Sequence, residues 1–63
     1  MAIFGKIDNL GDALRELRAA EHDVMMDFGE DAVEAGYSDL IESIAADCTP
    51  QVAKELRRIK LGV

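Results

Sequence analysis

The chain has few of the residue types that carry chemistry. Cys48 is its only cysteine and His22 its only histidine, so neither an internal disulfide nor a cysteine-rich metal cage can form. Because cysteine is rare, a reducing environment suits the chain, and we expect a cytoplasmic protein. It has no apolar run near the ~20 residues of a membrane-spanning helix, and its first residues lack a secretory cleavage pattern. We therefore expect no membrane association.

A chain of 63 residues has room for one small domain, residues 1–63. Hydrophobic residues make up 49% of it and charged residues 32%, a composition typical of folded proteins. A single core of this size supplies only ~3 to 5 kcal/mol of net stability, and self-association would bury more surface. We therefore expect a homodimer.

Positive charge is missing from the middle of the chain. No lysine or arginine occurs from Ala19 to Ala53, and the formal net charge of the whole chain is -6. The sign of the charge reverses near the end of the chain, where four cations and one carboxylate, Glu55, occur. The chain therefore has an acidic middle and a basic end. The carboxylates of the acidic middle are Glu21, Asp23, Asp27, Glu30, Asp31, Glu34, Asp39, Glu42 and Asp47.

Apolar residues recur at intervals of three and four, which predicts an all-α protein. The first helix is expected over about residues 9–28, with Asp8 or Asn9 as its cap and Gly29 as its stop. The apolar stripe that predicts it consists of Leu10, Ala13, Leu14, Leu17, Ala20, Val24 and Phe28.

The next segment has two interpretations, which differ in whether the chain breaks at Gly29 or at Gly36. We favour a break at Gly29 and a second helix over residues 30–47, because carboxylates at its start suit the positive end of a helix dipole. In the alternative, the first helix runs to Ala35, and Asp39 and Glu42 form a capping box for a short second helix.

Thr49-Pro50 predicts the start of a third helix, over residues 50–60. A hydroxyl at the N-cap and a proline at the first helical position are a common combination. The sequence thus predicts a compact three-helix bundle. The apolar residues Ile3, Phe4 and Ile7 either staple onto the first helix or pair as a strand across a dimer.

The candidate chemical sites are weak. Asp27-Phe28-Gly29 matches the magnesium-binding tripeptide of kinases, but no other kinase motif accompanies it. A metal at His22 and Met25 would need more ligands than one turn provides. Cys48 ends an apolar stripe and is better interpreted as a small buried hydrophobe than as a nucleophile. We expect no enzyme activity, no cofactor and no metal.

We do not expect the basic end to bind nucleic acid directly. Lys54, Arg57, Arg58 and Lys60 could touch phosphates, but the acidic remainder of the molecule would repel the polymer, and no aromatic residue is there to stack on bases. We expect these cations to neutralise carboxylates within the chain or across a dimer.

The acidic middle predicts a protein partner. Carboxylates one helical turn apart are spaced by ~5 to 6 Å, near the spacing of successive phosphates, so such a surface can occupy a groove built for nucleic acid. A well-solvated surface is the alternative. The partner would be a basic nucleic-acid-handling protein. The predicted partner-binding residues are Asp12, Glu16, Asp23, Asp27, Glu30, Asp31, Glu34 and Glu42.

In size, acidity and helical content the chain is similar to the small inhibitors by which phages block host nucleic-acid machinery, including anti-CRISPR and anti-restriction proteins. The similarity is one of class and spans no motif. The alternative function is a structural homo-oligomerisation module with a solvated acidic surface. Its core residues would be Leu17, Val24, Phe28, Tyr37, Ile41 and Ile44.

Overall fold

The computed structural model describes residues 6–62 and confirms the all-α class. This part of the chain forms four helices: α1 (Leu10–Phe28), α2 (Glu30–Ala35), α3 (Tyr37–Ala46) and α4 (Pro50–Leu61). α1 packs against each of the other three helices, and α3 packs against α4. Within residues 6–62, none of the helices combines the length and the apolar character needed to cross a membrane.

The bounds of α1 agree with those predicted. The Asn9 side chain accepts a hydrogen bond from the backbone N–H of Asp12 at 2.8 Å, which satisfies one of the free donors at the helix start. At the other end, the N–H of Gly29 donates to the carbonyl of Met25 at 2.8 Å. Gly29 has a φ of 95°, a backbone angle that residues with a Cβ rarely adopt, and the chain leaves the helix there.

The single helix predicted over residues 30–47 is corrected to two helices, α2 and α3, because Gly36 separates them. Gly36 has a ψ of 14°, well away from the helical value of about -42°. Hydrogen bonding nevertheless continues, since its N–H donates to Ala32 and its carbonyl accepts from Leu40, both at 2.9 Å. The two sequence interpretations each placed one break, and the chain breaks at both Gly29 and Gly36.

α4 begins as the sequence predicts. Thr49 Oγ1 accepts from the N–H of Val52 at 3.4 Å, and Pro50 occupies the first helical position. The helix ends at Gly62, whose φ of 72° and ψ of 26° are left-handed. Arg58 and Lys60 lie in its last turn, where positive charge is favourable to the helix dipole.

The core lies among α1, α3 and α4 and includes the segment before α1. Ile7 is buried and is fixed to the α3–α4 connection, since its N–H donates to Asp47 and its carbonyl accepts from Thr49, both at 2.9 Å. Ile7 thus pairs within its own chain, while Ile3 and Phe4 lie outside the described residues. The buried residues are Ile7, Ala13, Leu17, Ile41, Ala45, Cys48, Val52, Ala53 and Leu56.

Candidate protein-binding surface

The carboxylates predicted to bind a partner are exposed, with the exception of the half-buried Asp12. Two of them are engaged by neighbouring side chains. Asp12 accepts from Asn9 Nδ2 at 2.9 Å and lies 3.7 Å from an Arg15 nitrogen. Glu42 accepts two hydrogen bonds from Arg57 of α4, at 2.8 and 2.9 Å.

The Glu42–Arg57 pair links α3 to α4. Because the guanidinium is planar and matches the two carboxylate oxygens, the geometry is specific. The hydrogen bond from Arg57 lowers the pKa of Glu42 below its ordinary value of 4.5. The expectation that the basic end neutralises carboxylates within the chain is therefore met at Glu42. A second cation of α4, Arg58, pairs within that helix with Glu55 at 2.7 Å.

The carboxylates of α1 form a stripe on one side of that helix. Successive residues of a helix are rotated by about 100°, so Asp23 and Asp27 project roughly 160° away from Met25, which lies midway between them in sequence. Glu16 lies on the same side as Asp23 and Asp27, and all three are exposed. The α1 stripe (Asp12, Glu16, Asp23 and Asp27) therefore lies on the side of α1 opposite to Met25.

The other side of α1 forms a groove with α2. Because the chain turns at Gly29, α2 packs back on α1 and leaves an open groove of about 430 Å³ that is more apolar than polar. The groove brings Glu30 and Glu34 of α2 beside Glu21 of α1, away from the α1 stripe. The predicted acidic residues are thus divided between two surfaces. The residues that line the groove are Arg18, Glu21, His22, Met25, Glu30, Val33 and Glu34.

Sequence reasoning assigned no partner-binding role to Glu21, Met25 or Val33 of this groove. A signal for them was present, because Arg18, Glu21, His22 and Met25 follow helical spacing and therefore share one side of α1. A tight turn at Gly29 would bring the next helix onto that side. The side could not be chosen from spacing alone, since it carries fewer apolar residues than the stripe used to predict the helix.

Large apolar side chains are exposed in the last turn of α1. Phe28 is 76% exposed, Met26 69% and Met25 40%. We call Met25 and Phe28 the Met–Phe patch. Because Phe28 is three residues after Met25, the two are neighbours on the helix surface, and Met25, which lines the groove, makes the patch continuous with it. Met26 is two residues before Phe28 and projects roughly 160° away from it, so it lies outside the patch.

The six residues predicted as the core of an oligomer fall into different environments. Leu17 and Ile41 are fully buried within the chain, and Tyr37 and Ile44 pack, half-buried, against its core. Val24 is half-buried. Phe28 is exposed because it is the last residue of α1, where the chain turns away at Gly29.

Neither Cys48 nor His22 belongs to a chemical cluster. The Cys48 thiol is buried and donates to the carbonyl of Ile44 at 3.2 Å, and burial, with a smaller effect from Asp47, raises its pKa. Such a thiol stays protonated at neutral pH and is a poor nucleophile. Residues 6–62 contain no group of three or more histidine, cysteine or carboxylate side chains placed to hold a metal ion.

Comparisons of the chain with protein-family models, with curated proteins and with solved structures found no match. Function is therefore inferred from the surface described above.

Proposed function

We propose that this protein is a cytoplasmic protein-binding module, and that its carboxylate-rich helical surface occupies a basic nucleic-acid-binding surface of a partner. Binding would exclude the partner's nucleic acid. This is the mode of action of the small acidic inhibitors to which the chain is similar in class. Neither catalysis, a cofactor nor direct binding of nucleic acid is part of the proposal.

The observation that carries the proposal is the contrast among the eight predicted carboxylates. Asp12 and Glu42 have cationic neighbours, whereas the other six are exposed and form no ion pair with any residue between 6 and 62. Surface helices usually interleave both charge signs, because neighbouring turns then attract each other. Unpaired carboxylates repel one another, so a basic partner would relieve a cost that the free protein carries. The six residues are Glu16, Asp23, Asp27, Glu30, Asp31 and Glu34.

The test begins with capture of partners from a lysate of the source organism on the tagged protein, at low and at near-physiological salt. The proposal requires that a nucleic-acid-binding protein is retained in stoichiometric amount, that added salt weakens its retention, and that added DNA or RNA releases it. Release by nucleic acid is the decisive step, because it separates occupation of the nucleic-acid site from general attraction between opposite charges.

Three double variants assign the contact to a surface. Asp23→Lys with Asp27→Lys reverses the α1 stripe, and Glu30→Lys with Glu34→Lys reverses α2. The control, Asp39→Lys with Asp47→Lys, changes two exposed carboxylates on and just after α3. Each pair changes the net charge equally, from -6 to -2, since each substitution adds two charges. At least one of the first two variants should lose the partner, while the control keeps it. If all three retain it equally, charge mimicry is wrong.

The second candidate function is a homo-oligomerisation module, most simply a homodimer. The exposed Met–Phe patch favours it, because apolar surface of this kind is often buried against another chain. Light scattering at micromolar concentration tests it directly. A dimer mass that falls to the monomer mass on Phe28→Gln would support this function, and a monomer mass for the unaltered protein would exclude it.

A further inference from the structure

We propose that the Met–Phe patch and the adjoining groove bind a basic segment of a partner protein that carries an apolar anchor side chain flanked by arginine or lysine. The inference rests on the proposed function and specifies the chemistry of the partner. The anchor would pack on Met25 and Phe28, and the cations would reach the carboxylates of the groove.

The apolar part of the surface selects the anchor. Phe28 leaves more than two thirds of its surface exposed, and Met25, which is 40% exposed, continues the apolar surface into the groove, where Val33 also lies. Aromatic and methionine side chains are enriched at the centres of protein interfaces, and methionine adapts to partners of different shape. A partner that only carried charge would leave this surface in water.

The carboxylates select the sign of the flanking charge. Glu21, Glu30 and Glu34 line the groove, against one arginine, Arg18. Asp27, next to Phe28 in sequence, is rotated from it by about 100° around α1 and belongs to the α1 stripe. Arginine and lysine have apolar stems and charged ends, so a stem can lie on Met25 and Val33 while its charge meets the carboxylates at the edge.

The same charges disfavour a second copy of the chain as the occupant. A symmetric dimer buries the same surface of both chains, so Glu21, Glu30 and Glu34 of both copies would lie in one interface. Like charges brought together at an interface are costly. A basic partner meets the apolar surface without that repulsion.

The experiment uses a matched pair of short synthetic peptides as probes. Both peptides carry the same arginine residues. The first also contains two leucines, and the second has serine at those two positions. Binding to the full-length protein is measured by calorimetry at low and near-physiological salt. We expect the leucine peptide to bind at least about tenfold more tightly, which corresponds to about 1.4 kcal/mol. We expect Phe28→Gln and Met25→Gln each to reduce that preference.

The control variant is Ile59→Gln, which removes an apolar side chain that is 50% exposed on α4. It should keep the full preference for the leucine peptide. Circular dichroism of all three variants should match that of the unaltered protein, because none of the substituted side chains lies in the core.

The outcomes separate the two proposals. If both peptides bind equally and salt weakens both, the acidic surface binds cations as proposed, but the apolar anchor is wrong. If neither peptide binds at low salt, both the inference and the proposed function fail. If light scattering shows a dimer that depends on Phe28, the second copy occupies the patch and the inference is overturned.

Discussion

At the scale of single residues, the protein depends on a few large side chains. Within residues 6–62, Leu17, Ile41 and Leu56 are the largest fully buried residues, and three of the nine buried positions are alanine. Alanine contributes little buried area, so most of the hydrophobic stabilisation comes from the larger members of the core. Each of these larger side chains therefore contributes a large fraction of a small total free energy of unfolding.

We expect Leu56→Ala to unfold most of the protein. Removal of a fully buried leucine side chain costs about 2 to 5 kcal/mol, and a domain of this size has only ~3 to 5 kcal/mol to lose. Urea denaturation followed by circular dichroism measures the effect. The matched control is Ile59→Ala on the same helix, where the side chain is half exposed and the expected cost is below about 1 kcal/mol. Equal effects of the two substitutions would contradict the assigned core.

The Glu42–Arg57 pair predicts a pH dependence. Because the pKa of Glu42 is lowered in the folded protein, its charge stabilises the fold above about pH 4.5, and this contribution is lost as the pH falls through the lowered value. Glu42→Gln should therefore lower stability at neutral pH, and the difference from the unaltered protein should disappear at acidic pH. Urea titrations at several pH values measure this difference. Asp39→Asn, on the same helix, controls for the loss of one charge. A difference that persists unchanged in acid would refute the prediction.

At the scale of the helices, the ends of α1 and the start of α4 were predictable, but the occurrence of breaks at both Gly29 and Gly36 was not. Asn9, Thr49 and Pro50 act over one turn of chain, so their effect can be read from neighbouring residues. Gly36 lies inside a segment whose apolar residues keep helical spacing on both sides, and its hydrogen bonds continue across the break. Local spacing therefore cannot reveal the division, which depends on how α2 and α3 each pack against α1.

Gly29 and Gly36, which lie at the two ends of α2, should differ in the effect of substitution by alanine on stability. Gly29 has a φ of 95° and a ψ of 173°, a region that other residues rarely enter, so Gly29→Ala should cost about 1 to 3 kcal/mol. Gly36 has a φ of -103°, and an added Cβ would lie 3.3 Å from the Ala32 carbonyl, a close contact that offsets the gain in helix propensity. Gly36→Ala should therefore change stability by less than about 1 kcal/mol. Thermal unfolding of both variants measures the two effects, and a larger loss at Gly36 would show that the two backbone conformations are wrongly assigned.

At the scale of the whole molecule, charge could be read from the sequence but its arrangement could not. The window without cations correctly indicated an exposed acidic region, because charged side chains are rarely buried. Its division into the α1 stripe and the groove depends on the fold. α2 packs on the side of α1 that carries Glu21 and Met25, and Glu42 is engaged by Arg57 from a distant part of the chain.

The acidic surface should cost the free protein stability if its role is to bind a partner. With a net charge of -6 and unpaired carboxylates on α1 and α2, repulsion acts within the folded chain and is screened over ~8 Å at ~0.15 M salt. We expect the unfolding temperature to rise when salt is added to a low-salt buffer. In the low-salt buffer, Asp23→Lys with Asp27→Lys should raise the unfolding temperature, and this increase should become smaller as salt is added. Thermal unfolding across a salt series measures both. If these two substitutions stabilise the free protein and also abolish partner binding, the carboxylates are retained for function at a cost in stability. If the same pair of substitutions lowers the unfolding temperature, these carboxylates support the fold instead, and their loss could not be interpreted as the loss of a binding surface.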